Sequence, residues 1–361
     1  MGTVINMEDA LNYFSGKRVF VTGHTGFKGT WLTCLLNELG AEVMGFALPP
    51  ESGPNHFDLL SLRDDIIHIE GDIRDAKALN DAMVSFQPEY VIHLAAQALV
   101  KKSYDDPAST FEINVMGSVN LLDAVRNTPS VRSLVYITSD KCYENVEWIW
   151  GYRENDSVGG RDPYSASKGA AELVFSSYAR SFLNARKNLG AASSRAGNVI
   201  GGGDWAADRI IPDCIRAIEK DEPIILRNPA ATRPWQHVLE PLSGYLLLAA
   251  QLYRASSSFS GAWNFGPSSV EVRNVEQVAN AIVRHLGRGE IRVESTEGQH
   301  HEANLLQLNC DKAQQLLGWA PRWGVDKTLA ATSEWYKVFL DGGDIKATTR
   351  SQLRDYFPEL S

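Results

Sequence analysis

Cysteine is scarce in this chain of 361 residues: Cys34, Cys142, Cys214 and Cys310 lie far apart, with no Cys-x-x-Cys pair. That spacing suits neither a zinc knuckle nor a secreted disulfide framework, so no metal site is expected and the four read as free thiols of a cytoplasmic protein. Basic charge is short as well. The formal net charge of −9 excludes sequence-independent binding to nucleic acid or to an anionic membrane, because both need a basic face. A small anionic ligand in a local basic pocket is compatible with it. Long apolar runs are missing too: none reaches the ~18 residues of a membrane span, and the longest, Gly244 to Leu252, suits a buried helix. The stretch Met1 to Gly16 lacks the basic segment and apolar run of a signal peptide.

What is present is an alternation of strands and helices. Arg18 to Thr22 is a short β-branched run, followed by a glycine turn and then by apolar residues at helical spacing from Phe27 to Leu39. Val43 to Ala47, Ile66 to Ile69, Tyr90 to Leu94 and Leu134 to Thr138 are continuous apolar runs, as in parallel strands buried on both faces. Helical patterns at Asp75 to Phe86 and Ala108 to Asn127 separate them. This order predicts an α/β protein with a Rossmann-type, doubly wound parallel sheet. Long loops are expected from Pro49 onward and from Cys142 to Asp162. After Ile200 the pattern shortens, with Gly201-Gly202-Gly203 and several prolines. The expected division is a dinucleotide-binding domain over residues 1–195 and a smaller α/β substrate lobe mainly over 196–361, some segments of which return to the sheet.

Gly23-His24-Thr25-Gly26-Phe27-Lys28-Gly29 follows the first strand and opens the first helix, the setting in which backbone amides meet a pyrophosphate. Gly23 allows the turn, Gly26 a close approach, and Gly29 tight helix packing. The segment after the second strand, Met44 to Pro49, carries neither the acidic residue that usually holds the adenine ribose nor an arginine for a 2′-phosphate. NAD is therefore the expected cofactor, weakly retained. Asp72 and Ile73 after the third strand are either an adenosine contact or a helix cap with packing. Leu94, Ala95 and Ala96 place small residues where a nicotinamide ribose would come close, and Gln97 directly after them is a candidate substrate contact.

Tyr164 and Lys168 stand four apart on a helix and so share a face. A tyrosine is a poor base at neutral pH, but a neighbouring ammonium favours its phenolate. Ser139, at the end of the fifth strand, is placed to hydrogen-bond the same substrate oxygen. Asp140 and Lys141 follow it at the carboxyl end of a parallel strand, where ligands of open sheets bind. They are either a cap and a solvated charge, or the acid and base that a dehydration needs and a simple alcohol oxidation does not.

The glycine turn, Thr138-Ser139-Asp140-Lys141-Cys142-Tyr143, Tyr164 with Lys168, and Arg195-Ala196-Gly197-Asn198 together resemble the sugar-nucleotide 4,6-dehydratases of the extended short-chain dehydrogenase/reductases, over nearly the whole chain. Gly201 to Trp205 and Arg233 to Glu240 are most similar to the branch acting on CDP-linked glucose. The resemblance implies NAD-dependent oxidation at sugar C4, loss of water across C5 and C6, and return of hydride to C6. Tyr164 would be the redox base and Asp140 the acid. Lys141 stands where the dTDP-glucose and GDP-mannose enzymes carry a glutamate base, so the C5 base is either Lys141 or another group. The resemblance also places Asn198, Arg209, Arg233, Trp235, His237 and His301 at the substrate, although the arginines have an alternative as surface ion pairs and the tryptophans as core. It further implies a homodimer or homotetramer, paired through helices near Ala108 to Arg126 and Tyr164 to Arg186, and a setting in deoxysugar synthesis for a surface polysaccharide such as lipopolysaccharide O-antigen. The alternative is a sugar-nucleotide 4-epimerase, which shares the cofactor site and the tyrosine but needs no acid at C6, so that Asp140 and Lys141 speak against it.

Overall fold

The structure is a computed structural model that describes residues 4–50, 53–267, 272–294 and 305–360. Seven parallel strands form the main sheet: β1 (Arg18–Thr22), β2 (Glu42–Ala47), β3 (Ile67–Glu70), β4 (Tyr90–His93), β5 (Ser133–Ile137), β6 (Gly190–Ala196) and β7 (Gly261–Phe265). Their spatial order is β3-β2-β1-β4-β5-β6-β7, every pairing parallel. The order reverses between β1 and β4, which opens the crevice where such sheets bind ligands. The expected doubly wound sheet is thus present, and β7 is supplied by the second half of the chain.

Continuous apolar strands were expected because both faces are covered, and the core divides residue by residue in that way. Val19, Val21, Val43, Tyr90, Ile92 and Val135 join one cluster with the carboxyl-terminal elements. Phe20, Met44, Phe46, Val91, Leu134 and Tyr136 point the other way, against helices Ala76–Phe86, Gly117–Asn127 and Pro163–Tyr178. Side chains alternate across a strand, so each strand feeds two cores. The apolar run from Gly244 lies in helix Leu239–Arg254, buried along almost its whole length; a helix apolar all round belongs inside.

The second half of the chain carries two-stranded pairs such as Ile224–Leu226 with Ile291–Val293, and helices Val275–Leu286 and Val325–Leu340. Aromatic packing ties it to the sheet. Gly201 to Gly203 thread between rings: a Cβ on Gly202 would lie 2.0 Å from Trp335, and its carbonyl accepts from Trp31 Nε1 at 2.9 Å. Glu240, fully buried, accepts from the amides of Arg322 and Trp323 and from the Tyr356 hydroxyl, which docks the last helices.

Four histidines, His24, His56, His93 and His237, are buried, and burial pushes each down to about 3. Above pH 6.5 both folded and unfolded chains hold them neutral. As pH falls below that value the unfolded chain takes up protons that the folded one refuses, costing about 1.4 kcal/mol per histidine per pH unit. Asp140 and Glu240, raised by burial, act in the opposite sense at the acid end. We expect Tm at constant ionic strength to fall steeply from pH 6.5 to 5; a flat Tm would mean that these rings are protonated in the fold.

Candidate active site

The glycine turn fits between β1 and the start of β4's loop because of what it lacks. Gly23 adopts φ +75°, and a Cβ there would meet the Ala95 amide nitrogen at 2.7 Å. A Cβ on Gly29 would lie 2.0 Å from the Gly23 carbonyl oxygen. Gly26 caps helix Phe27–Glu38 in an extended conformation and is exposed, and no side chain caps the first turn, which begins at the sheet's switch point. This cradle suits a dinucleotide pyrophosphate, with the partly exposed Leu94, Ala95 and Ala96 beside it.

Not every residue expected at the cofactor faces this space. The His24 ring turns away to pack over Gly45 and pairs with His68 Nδ1 at 2.6 Å. Asp72 accepts from Arg74 Nε at 2.9 Å and Nη2 at 2.6 Å and caps the Arg74 amide, which lowers its pKa. Ile73 is buried against Gly117. Gln97, a candidate for the substrate, has internal partners as well: its side chain bonds Leu99 twice and Thr110 once.

Tyr164 and Lys168 lie on helix Pro163–Tyr178, capped by Asp162 and held at its first turn by Ser103 Oγ, which accepts from the Tyr164 amide at 3.1 Å. Both are buried, with Lys168 Nζ 5.9 Å from the centre of the Tyr164 ring. Burial raises the phenol to about 12, against a hydrogen bond with Ser139, and lowers the ammonium to about 8. Ser139 leads from β5 into a short turn, Asp140–Cys142; its Oγ donates to Asp140 Oδ1 at 2.9 Å and accepts from the Lys141 amide at 3.2 Å. Asp140 is 5% exposed, and burial raises its pKa against the pull of Lys141, Ser139 and Lys28. A carboxyl group held towards its protonated form is an acid. Gly197 makes room for it: a Cβ there would stand 3.0 Å from Asp140 Oδ2.

Cations collect here despite the acidic chain. Lys28, on the first turn of its helix, is lowered to about 8 by burial and by Arg209, with Lys168 also adverse and Asp140 and Asp204 supporting its charge. Arg209 pairs with Asp204 at 2.9 Å yet remains about one-third exposed, within electrostatic reach of Tyr164. The ion pair thus leaves part of the guanidinium exposed near Tyr164. Asn198 is partly exposed beyond β6, and its carbonyl accepts from the Gln236 amide. Arg233 lies in strand Thr232–Arg233, opposite Arg273.

Two residues expected at the substrate are core instead. His237 is buried between Trp31 and Trp323, with ring centroids 5.8 and 4.9 Å away. Trp235 is buried and donates Nε1 to the Arg273 carbonyl. His301 lies outside the described residues.

The structure adds polar residues that the motifs did not single out. Asn114, in a widened helical turn at Glu112–Met116, accepts from the Gln97 amide and donates to Ser167 Oγ at 2.8 Å; Ser167 in turn donates to the Tyr164 carbonyl. Such widened turns occur often at functional sites. Glu172, one turn beyond Lys168, forms a buried ion pair with Arg195 at 2.8 Å.

A switch-point glycine turn, a serine at the end of the fifth strand and a tyrosine-lysine pair on the following helix define the short-chain dehydrogenase type of Rossmann enzyme. The chain belongs to the GDP-mannose 4,6 dehydratase family, whose model matches residues 20–332. It is 48% identical to the CDP-glucose 4,6-dehydratase of Salmonella typhimurium, over 96% of this chain and 97% of that protein. Among solved structures, the UDP-glucose 4-epimerase of Thermus thermophilus in complex with NAD superposes with a TM-score of 0.75 at 26% identity, covering 89% of this chain and 99% of that one. The dTDP-glucose 4,6-dehydratase DesIV of Streptomyces venezuelae has the same fold, with a TM-score of 0.74 at 22% identity and coverage of 95% and 100%.

Proposed function

We propose that the chain converts CDP-glucose to CDP-4-keto-6-deoxyglucose and water with NAD as resident cofactor. The observation that carries this reading is a buried Asp140, held towards its acid form, beside the Ser139 and Tyr164 pair. The likeness to the Salmonella enzyme supplies the nucleotide.

Bound on the glycine turn, NAD supplies the acceptor for hydride from C4 and its donor to C6. Tyr164 takes the C4 hydroxyl proton, with Ser139 holding that oxygen and Lys168 supporting the phenolate. The C4 ketone acidifies the C5 hydrogen, which Lys141 removes. Asp140 gives its proton to the departing C6 hydroxyl, which leaves as water. Two protons leave the sugar, from O4 to Tyr164 and from C5 to Lys141, and two are delivered, from Asp140 to the water oxygen and from Lys141 back to C5. The sugar balances, and the site is reset when Tyr164 gives up its proton and Asp140 takes one back from solvent. Lys28 and Arg209 are the cations proposed to face the diphosphate.

We assign this activity to the cytoplasm, in keeping with four buried free cysteines, and to deoxysugar supply for a surface polysaccharide. A homodimer is proposed through the expected helices, because Met116 and Leu173 stand 52% and 62% exposed there, with Phe111 and Phe182 beside them at 38% and 39%. The test is incubation of the purified protein and NAD with CDP-, dTDP-, UDP- and GDP-hexoses, following water loss by mass. Light scattering of the same sample should give twice 39.9 kDa. Water loss from CDP-glucose alone is expected; an inverted sugar without water loss would overturn the reading, and a monomer would overturn the dimer.

A further inference from the structure

The proposed reaction uses two sets of side chains on different elements. Tyr164 and Lys168 are on helix Pro163–Tyr178, whereas Asp140 and Lys141 are on the turn after β5. A single buried carboxylate joins them. Glu172 is four residues after Lys168 and so lies on the same helix face. Its Oε1 accepts from Thr138 Oγ1, directly before Ser139 and Asp140. Its Oε2 accepts from Ser193 Oγ and from Arg195 Nη2, each at 2.8 Å. Arg195 Nη1 then donates to the Tyr143 hydroxyl at 2.7 Å and to the Glu154 carbonyl at 3.1 Å, and Tyr143 donates to Asn264 Oδ1 on β7 at 2.8 Å. The turn from Ser139 to Tyr143 is therefore tied at both ends, through Thr138 and through Arg195, to one side chain of the tyrosine helix.

A buried ion pair contributes little net stability compared with an apolar replacement, and β5 and β6 are already joined by their ladder. What the pair fixes is relative position. We propose that Glu172, acting through Thr138 and Arg195, is a positioning residue that holds the dehydrating pair Asp140 and Lys141 in register with the redox pair Tyr164 and Lys168, so that water loss follows oxidation without release of the ketone. The inference rests on the dehydratase reading. Its burial also fits: Glu172 and Arg195 are each 4% exposed, and the carboxylate supports the charge of Lys168.

The test compares wild type, Glu172→Gln, Glu172→Asp and Thr138→Val in two ways. Amide hydrogen exchange of the protein without substrate should rise in Ser139 to Tyr143 for Glu172→Gln while β5 and β6 stay protected. With NAD and CDP-glucose, water loss should fall about 100-fold, the scale of an ångström-sized misplacement, whereas oxidation falls far less. Reduced nicotinamide then accumulates, KM changes little, and Glu172→Asp recovers part of the loss. Thr138→Val breaks one hydrogen bond and should show the same split more weakly, which keeps the test decisive if Glu172→Gln does not fold. Equal losses of oxidation and water loss, or unchanged exchange in the turn, would overturn the inference alone. A wild type that oxidises and dehydrates nothing would overturn the functional reading with it.

Discussion

Tyr164→Phe should abolish both the appearance of reduced nicotinamide and the loss of water from CDP-glucose, lowering turnover by about 10²–10⁴, the usual contribution of a positioned acid-base group. The substitution removes one oxygen from a buried ring whose surroundings are otherwise unchanged, so Tm should shift little. The chemical loss is large because the site makes the phenol's task specific. Burial raises it to about 12, against the Ser139 hydrogen bond and the charge of Arg209, and the Lys168 ammonium 5.9 Å from its ring centre and a positively charged nicotinamide would favour the phenolate further. Among the described residues, the neighbouring carboxyl groups are poor substitutes for it: burial favours the acid form of Asp140, and Glu172 is engaged with Thr138, Ser193 and Arg195. Single-turnover absorbance of the nicotinamide and product mass, measured on one sample, check the two losses together. A variant within tenfold of wild type would remove Tyr164 from the chemistry.

The parts of the site that could be read from the residues are those whose geometry is local. Gly23 and Gly29 announce themselves because a positive φ and a backbone approach of 2.0 Å admit no side chain. Tyr164 and Lys168 follow from a four-residue spacing on a helix, and β1, with bounds as expected, from a β-branched run between Lys17 and Gly23. Residue type without spacing was a poorer guide. His237 and Trp235 are as chemically suited to a pocket as to a core, and only tertiary packing against Trp31, Trp323 and Arg273 decides it. Position after a strand makes Asp72 either an adenosine contact or a cap and makes Gln97 a candidate substrate contact, and in the fold both side chains also hold short-range partners in their own loops. Glu172, Arg195 and Asn114 act through partners distant in sequence. The one local signal was the spacing of Glu172 from Lys168, and nothing in the sequence shows where Thr138 and Arg195 will meet it.

Asp140→Asn separates the two halves of the reaction. The amide has nearly the shape of the acid, still fits beside Gly197, and can keep a hydrogen bond with Ser139 Oγ, so Tyr164 and Lys168 should remain able to oxidise C4. What it lacks is an acidic proton to give, a form that burial of the carboxyl group favours, and without an acid the C6 hydroxyl must leave as hydroxide. Water loss should fall about 10²–10⁴, by the same acid-base scale, while reduced nicotinamide forms and persists because C6 never becomes its acceptor. This outcome differs in kind from Tyr164→Phe, in which no reduced nicotinamide appears, and in degree from Glu172→Gln, which leaves the acid present but displaced. An epimerase would be indifferent to the change, since it needs a ketone and no acid at C6. If Asp140→Asn dehydrates CDP-glucose at the wild-type rate, the acid lies elsewhere, and the residue that replaces it must still explain why the fold buries a carboxyl group against Ser139.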